Sequence, residues 1–292
     1  MSIRTILVAA GGGAATTGAI DLACQLARRF EAHLEGFHVS PDPQAIFAAV
    51  DEGFGNLAAA GLVETMTAET AAKAAQVRAL FDDIVGRHGI ARRGLPLLAA
   101  RGPSASWHEE TGNASGLVAR RGRFFDLLVL GRSDRVAHEP HSDTIEEALM
   151  HSGRPVLLAP ETPPSGVGYV VAVAWNGSPE GVRALAAALP FLEKANAVSL
   201  ITAGITADGA DAADSLLAID YLAWHGVSAE HRKVAAGSSR HVGSILFEAA
   251  RKAGADLLVM GAFGHMPWRE QLFGGATRTA LATMPLPLLL MH

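Results

Sequence analysis

Short runs of apolar residues alternate along the chain with segments in which apolar positions recur every three or four residues. Segments such as 4–9 and 168–174 each contain a continuous apolar run, as expected of strands in a parallel sheet that helices cover on both faces. Segments 16–30, 178–194 and 239–253 have the spacing of helices that pack one face on such a sheet. The pattern therefore predicts an α/β fold. Strands are predicted at 4–9, 34–39, 95–100, 126–130 and 155–159 in the first half, and at 168–174, 197–202, 227–234, 256–260 and 287–291 in the second.

The two halves of the chain repeat one another in sequence, which indicates a duplicated domain. The matched features are Gly12 with Gly177, 165 positions apart, segment 126–131 with 256–261, 130 apart, and segment 154–158 with 286–290, 132 apart. The fall in the offset from 165 to 130 places about 35 additional residues between the second and third strands of the first half, in the stretch 41–66.

Residues 160–166 separate the two halves. This segment, Pro160-Glu-Thr-Pro-Pro-Ser-Gly166, has three prolines and a terminal glycine, and such a segment continues neither a strand nor a helix. We therefore predict two tandem Rossmann-like domains, at 1–160 and 166–292, each a five-stranded parallel sheet flanked by helices. The apolar final strands, 155–159 and 287–292, are expected to pair along their edges, so that the domains pack as a pseudo-dimer.

Charge and composition limit the partners and the location. The formal net charge of -5 does not favour binding to duplex nucleic acid, which requires a basic face. The single cysteine, Cys24, excludes an intrachain disulfide and any paired-thiol metal motif. The longest apolar stretches reach about ten residues, whereas a bilayer span requires roughly 18–20, and no export signal is recognisable at the start. We expect a cytoplasmic protein that binds neither nucleic acid nor membrane.

Glycines follow the fourth strand of the second half in a pattern that favours an anion. Gly261, Gly264, Gly274 and Gly275 form the pattern Gly-x2-Gly-x9-Gly-Gly in front of the last helix. Glycine lets the backbone approach a ligand closely, and the free N–H groups at a helix start point toward an anion. Open α/β sheets bind ligands beyond the carboxyl ends of their strands, where this segment lies. The alternative is a plain turn followed by a break before the helix.

The run 260–278 resembles the phosphate loop of the universal stress protein family, and the resemblance covers essentially the whole chain. It implies two domains of the adenine nucleotide alpha hydrolase-like fold, a role in the stress response, and an ATP or AMP site in the second domain. Mg²⁺ would accompany the nucleotide, and no cofactor would be required for folding. The sequence departs from the family at Asn176, where the family has Asp, and at Gly275, where it has Ser or Thr.

Ten nucleotide-binding residues follow from this resemblance. They are Asn176, near the sugar and phosphates; Thr202 and Ala203, beside adenine; Met260 and Gly261, under the ribose; Gly264, Gly274, Gly275 and Ala276, around the phosphates; and Thr277, whose hydroxyl would replace the one missing at position 275.

The first half lacks this loop. The segment after Gly131 has no second glycine, and Ser142-Asp143 stand where the second half has its glycine pair. Side-chain oxygens at a helix start satisfy its free N–H groups, and a carboxylate there repels a phosphate. We therefore expect no triphosphate in the first half, although its glycine run 11–13 leaves the backbone open to a different ligand.

Histidine and arginine clusters give no further site. The spacing of His138, His141 and His151 matches no zinc motif. His33 and His38 are an odd number of residues apart on a strand, so they should lie on opposite faces and share no metal. The run 120–123 is interpreted as a solvated helix end. No metal site and no catalytic residue is predicted.

We predict from the sequence a non-enzymatic stress protein that responds to adenine nucleotide and hydrolyses ATP slowly at most. A first alternative is an interaction module that is independent of nucleotide, which the departures at Asn176 and Gly275 favour. A second is an enzyme of the ATP-pyrophosphatase class. That class requires a Ser-Gly-Gly-x-Asp-Ser turn after the first strand, and neither half has this turn. A further homodimer of the chain is compatible with all three.

Overall fold

The computed structural model describes residues 2–45, 56–94, 102–132, 141–204, 210–235, 242–262 and 286–292. The strands of the first half are β1 (Thr5–Ala9), β2 (His33–Ser40), β3 (Ala91–Arg92), β4 (Ser104–Thr111), β5 (Leu127–Gly131) and β6 (Val156–Ala159). Its helices are α1 (Ala14–Phe30), α2 (Asn56–Arg87), α3 (Ala114–Gly122) and α4 (His141–His151). The second half contains β7 (Val170–Trp175), β8 (Ala197–Gly204), β9 (Ala229–Ala235), β10 (Leu257–Gly261) and β11 (Leu288–Met291), with α5 (Pro179–Leu192), α6 (Ala210–Trp224) and α7 (Val242–Lys252).

All described strands form one sheet that crosses both halves. The strand order is β3-β4-β2-β1-β5-β6-β11-β10-β7-β8-β9. Neighbouring strands are parallel within each half, as the continuous apolar runs predicted. The pair β6 and β11 is antiparallel. The α/β class with parallel sheets is thereby confirmed, and the two final strands are neighbours.

The contact between β6 and β11 is symmetric about one pair of residues. Leu157 lies opposite Leu289, and these residues occupy equivalent positions in the repeat, since both follow the proline of segments 154–158 and 286–290 by two. On either side, Leu158 pairs with Leu288 and Val156 with Leu290. Each half contributes equivalent positions in the opposite order, so the strand pairing is symmetric about Leu157 and Leu289.

The ends of α1 and α5 repeat this symmetry on one face of the sheet. Nη2 of Arg29 donates to the carbonyl oxygen of Lys194 at 2.9 Å, and Nζ of Lys194 donates to the carbonyl oxygen of Arg29 at 3.2 Å. The two residues are 165 positions apart, which is the offset of the repeat at its front. The rings of Phe30 and Phe191 meet beside them edge to face, with centroids 5.0 Å apart. The reciprocal bonds of Arg29 and Lys194 therefore repeat the symmetry of the strand pair.

Two hydrophobic cores cover the two faces of the sheet, and each continues across the junction. One lies under α1, α2, α5 and α6 and includes Leu157 and Leu289. The other lies under α3, α4 and α7 and includes Leu158 and Leu288. Because both cores contain residues of both halves, we expect the halves to unfold together. None of the described helices is long and apolar enough to cross a membrane.

The aspartates that open the repeated segments 126–131 and 256–261 have a structural role. The carboxylate of Asp126 accepts hydrogen bonds from the backbone N–H groups of Arg4 and Thr5, at 2.8 and 3.0 Å. The carboxylate of Asp256 likewise accepts from Gly168 and Tyr169, at 2.6 and 3.0 Å. In each half, the aspartate before the fourth core strand therefore fixes the start of the first strand.

The third core strand of the first half is not where the sequence predicted it. The predicted segment, 95–100, lies outside the described residues, and β4 occupies the place beside β2. The sequence of β4 is Ser-Ala-Ser-Trp-His-Glu-Glu-Thr, which has no apolar run. Its polar side chains are tolerated because both ring nitrogens of His33 lie 2.9 Å from serine hydroxyls of β4, those of Ser104 and Ser106. The first half also has a sixth strand, the two-residue β3, and α2 contains part of the extra residues predicted at 41–66.

Shortening Leu157 to Ala should lower the free energy of unfolding by about 2–5 kcal/mol, because it opens a cavity in a fully buried core. Urea unfolding of the whole chain measures the change, and both halves should still unfold in one transition. The control is Leu62→Ala on α2, where the leucine is 50% exposed and the change should stay within about 0.5 kcal/mol. Equal effects of the two variants would contradict the junction described here.

Candidate functional site

The carboxyl ends of three strands meet in the second half, where the strand order reverses. β7 lies between β10 and β8, so the chain leaves β7 toward one side of the sheet and later returns on the other. Trp175 at the end of β7 pairs with Thr202 of β8, and Val259, two residues before the end of β10, pairs with Val173. Asn176, Thr202 and Gly261, which were predicted to share a site, therefore lie at one edge of the sheet. This is the position at which open α/β sheets bind ligands.

Asn176 forms the turn that leads into α5. Its Oδ1 accepts hydrogen bonds from the backbone N–H of Ser178 at 3.1 Å and from the Ser178 hydroxyl at 2.8 Å. Oγ of Ser178 in turn accepts from the backbone N–H of Gly181 at 3.1 Å and caps the helix, and Pro179 follows in its first turn. The side chain of Asn176 is therefore engaged in local structure, and Asn serves this purpose as well as Asp does.

Gly177 lets α6 approach the carboxyl end of β7. The carboxyl ends of β7, β8 and β10 together are called the strand exit. The φ of Gly177, 70°, lies in the left-handed region, and a Cβ atom at this position would lie 2.9 Å from Oδ2 of Asp214. Asp214 is exposed and forms no hydrogen bond or ion pair with any of the described residues. The glycine thus leaves room for the carboxylate of Asp214 on α6. This carboxylate lies beside the strand exit and has no partner in the described part of the chain.

Gly261 is required by the packing of α5 on β10. A Cβ atom on Gly261 would lie 2.6 Å from the backbone carbon of Glu180 and from the nitrogen of Gly181. The same relation holds in the first half, where a Cβ atom on Gly131 would lie 2.4 Å from the backbone oxygen of Ala15. Glycine at this point is therefore a feature of the fold in both halves, whether or not a phosphate loop follows.

Two buried polar atoms near this exit have no hydrogen-bond partner among the described residues: Nε1 of Trp175 and Oε2 of Glu180. The other carboxylate oxygen of Glu180 accepts from Nη2 of Arg183 at 2.8 Å. The backbone N–H of Glu180 holds the pKa of its own carboxyl below the usual value, and the charges of Arg183 and His292 act in the same direction against burial. The start of α5 therefore carries a negative charge.

The remaining described candidates are half-buried. Oγ1 of Thr202 lies 3.1 Å from Nε2 of His231, whose pKa is lowered by burial and by Lys233. Ala203 and Met260 pack against the core under α3, α4 and α7. Gly264, Gly274, Gly275, Ala276 and Thr277 lie outside the described residues. Ser142 and Asp143, predicted to replace the glycine pair, fall in the first turn of α4.

The strand-one exit of the first half carries the opposite charge. Gly12 and Gly13 have φ values of 96° and 88°, and no side chain caps α1 at Gly13. A Cβ atom on Gly12 would lie 3.2 Å from Cε of Lys73 on α2. Gly12 is the repeat equivalent of Gly177, so the same place is occupied by a lysine in one half and by Asp214 in the other. No local pattern signals either residue, because each belongs to a helix distant in sequence from its glycine.

The histidines predicted to lie on opposite faces of β2 do so. His33 bonds the serines of β4, whereas Nδ1 of His38 donates to the carbonyl oxygen of Ala10 at 2.6 Å.

The interpretation of the arginine run 120–123 as a solvated helix end is wrong for Arg121. Its Nη2 donates to Glu35 at 2.8 Å, and this half-buried ion pair raises the pKa of the guanidinium. Among the described residues, no group of three or more His, Cys, Asp or Glu could hold a metal ion.

Comparison with solved structures shows similarity over the full chain. A universal stress protein from Archaeoglobus fulgidus DSM 4304 matches 99% of this chain and 96% of its own, with a TM-score of 0.69 and 12% identity. A functionally unknown protein from Pseudomonas aeruginosa PAO1 matches 99% and 92%, with a TM-score of 0.54 and 15% identity. A protein assigned provisionally to the universal stress proteins, from Pseudomonas aeruginosa UCBPP-PA14, matches 99% and 93%, with a TM-score of 0.55 and 15% identity.

Comparison with protein-family models found no match, and comparison with curated proteins found none either. The structural neighbours nevertheless show the fold. The chain has the fold of a universal stress protein along its whole length, which confirms the fold that the sequence resemblance implied.

Replacing Gly261 by Ala should destabilise the protein by about 1–3 kcal/mol, because the new Cβ atom would meet the backbone at the start of α5. Gly131→Ala should have an effect of similar size in the first half. The matched control is Gly86→Ala on α2, where nothing lies within 4 Å and the helix should gain about 0.5–1 kcal/mol. Thermal or urea unfolding measures all three. A neutral Gly261→Ala would contradict the packing role of this glycine.

Proposed function

We propose that this chain is a universal stress protein whose second half binds an adenine nucleotide, ATP or AMP, and that it acts in the stress response without being an enzyme. The nucleotide would lie at the exit of β7, β8 and β10. The protein would work in the cytoplasm as a binding module that changes with nucleotide level, with slow ATP hydrolysis at most.

The convergence of strand ends at the reversal point carries this proposal. Trp175 ends β7, Gly261 ends β10, and Thr202 lies two residues before the end of β8, so the three lie at the carboxyl ends of adjacent strands. The turn 176–178 leads from there into a capped helix. In the sequence, Gly274 and Gly275 belong to the segment that connects β10 with β11. A nucleotide needs a crevice with both apolar walls and free backbone donors, and the switch point of a parallel sheet supplies such a crevice.

The described residues fit a nucleotide better with a divalent cation than without one. Glu180 and Asp214 bring two carboxylates to the exit, and Glu180 is paired with Arg183. A bare triphosphate would be repelled by these charges. Bound Mg²⁺ would neutralise part of the phosphate charge, and oxygen atoms are the ligands that it prefers. We therefore propose that the nucleotide binds together with Mg²⁺.

A binding role agrees better than catalysis with the residues that the structure describes at this exit. The hydroxyl of Ser178 is used as the cap of α5, and that of Thr202 lies against His231. No base is bonded to the Ser178 hydroxyl in the described part of the chain, and no third group among the described residues orients the ring of His231, as the activation of a nucleophile requires. The one specific observation in favour of a nucleotide-independent interaction module is that Oδ1 of Asn176 is already occupied by Ser178.

Transferring the first-half sequence into the second should abolish nucleotide binding. In the double variant Gly274→Ser with Gly275→Asp, a carboxylate would stand where phosphates are proposed to bind, and the affinity for Mg-ATP should fall more than tenfold. Isothermal titration calorimetry and the ATP-dependent rise in melting temperature measure the loss. The reciprocal variant, Ser142→Gly with Asp143→Gly, should keep the affinity of the wild type. If millimolar Mg-ATP leaves the melting temperature of the wild type unchanged, the interaction module is the better description.

A further inference from the structure

Asp214 is the feature of this exit that neither the glycine pattern nor the family resemblance points to. It approaches from α6, not from the strand or the loop, and a side chain at Gly177 would crowd it, because a Cβ atom there would lie 2.9 Å from its Oδ2. Its carboxylate is exposed and without a partner in the described part of the chain. Asn176, one residue before Gly177, is neutral and committed to the turn. The negative charge near the end of β7 therefore comes from α6 and not from the turn that follows the strand.

The first half carries a group of opposite charge at the equivalent position. Lys73 reaches Gly12 from α2 as Asp214 reaches Gly177 from α6. The backbone around the two glycines is similar, with a left-handed φ at both. The two halves therefore carry a lysine and a carboxylate at equivalent points of one fold. The lysine attracts anionic groups of a ligand, and the carboxylate attracts cations and hydrogen-bond donors.

A carboxylate accepts hydrogen bonds and donates none, so it favours hydroxyl groups and repels phosphate. We propose that Asp214 binds the ribose hydroxyls of the nucleotide and thereby sets its orientation, with the phosphates directed away from Gly177 toward the exit of β10. This inference rests on the proposed nucleotide site and names a specificity-determining residue within it. Acidic side chains bind ribose hydroxyls in the same way in dinucleotide-binding sheets.

A purely structural role for Asp214 predicts a different result. It is the fifth residue of α6, close enough to the amino end for its charge to stabilise the helix slightly. In that role its removal would act on every nucleotide alike, through the stability of the helix. A role in sugar recognition acts only on nucleotides that carry the hydroxyls. The comparison of two nucleotides that differ in these hydroxyls therefore separates the two roles.

The experiment measures the affinity of the full chain for Mg-ATP and for Mg-2′,3′-dideoxy-ATP by calorimetry. The wild type should bind ATP about tenfold more tightly or better, since a hydrogen bond to a charged group is worth roughly that factor. In Asp214→Ala the affinity for ATP should fall about tenfold while that for the dideoxy nucleotide changes less than about twofold. Asp214→Asn keeps an acceptor oxygen and should retain part of the preference. Asp220→Ala removes another exposed carboxylate of α6 and should retain all of it.

Each outcome has a distinct meaning. If the wild type binds ATP but does not prefer it to the dideoxy nucleotide, or if Asp214→Ala weakens both nucleotides equally or neither, the role of Asp214 in sugar recognition is wrong while the nucleotide site stands. If the wild type binds neither nucleotide, the proposed function fails and this inference fails with it. A loss of preference in Asp214→Ala that Asp220→Ala does not share supports the proposal.

Discussion

The antiparallel contact between β6 and β11 is the constraint on which the rest of the molecule depends. Each half ends in a short apolar strand that would form an exposed sheet edge if the half stood alone. Placing Leu157 opposite Leu289 covers both edges at once and joins the cores on each face. The reciprocal bonds of Arg29 and Lys194 then hold the flanking helices in the same two-fold relation. The stability of each half is therefore tied to the presence of the other.

The same junction separates the two strand exits. Strands within each half are parallel, whereas β6 and β11 are antiparallel to each other. The strands of the two halves therefore run in opposite directions, and their carboxyl ends lie at opposite ends of the strands in the sheet. The two exits are therefore separate, and each is free to diverge without disturbing the other. Divergence is visible in the charges, Lys73 at one exit and Asp214 at the other, while the packing of Gly131 and Gly261 on the following helices is the same.

Much of the fold could be predicted because its strands are buried on both faces and therefore read as apolar runs. The prediction failed at β4, where polar side chains satisfy one another across strands, as His33 does with Ser104 and Ser106, and no apolar run remains to be seen. Arg121 was misjudged for the same reason, since its partner Glu35 is distant in sequence. Asp214 and Lys73 lay beyond sequence reasoning because their positions depend on how helices pack.

The glycine after the fourth core strand shows how far such a motif can be trusted. Gly131 is retained in a half whose sequence has no phosphate loop, and its packing against Ala15 explains why. Gly261 packs in the same way, so by itself it reports the fold and not a ligand. A nucleotide site in the second half must therefore be argued from the features that the first half does not have. Within the described residues these are the acidic exit, with Asp214 beside Gly177, and the capped turn that begins at Asn176.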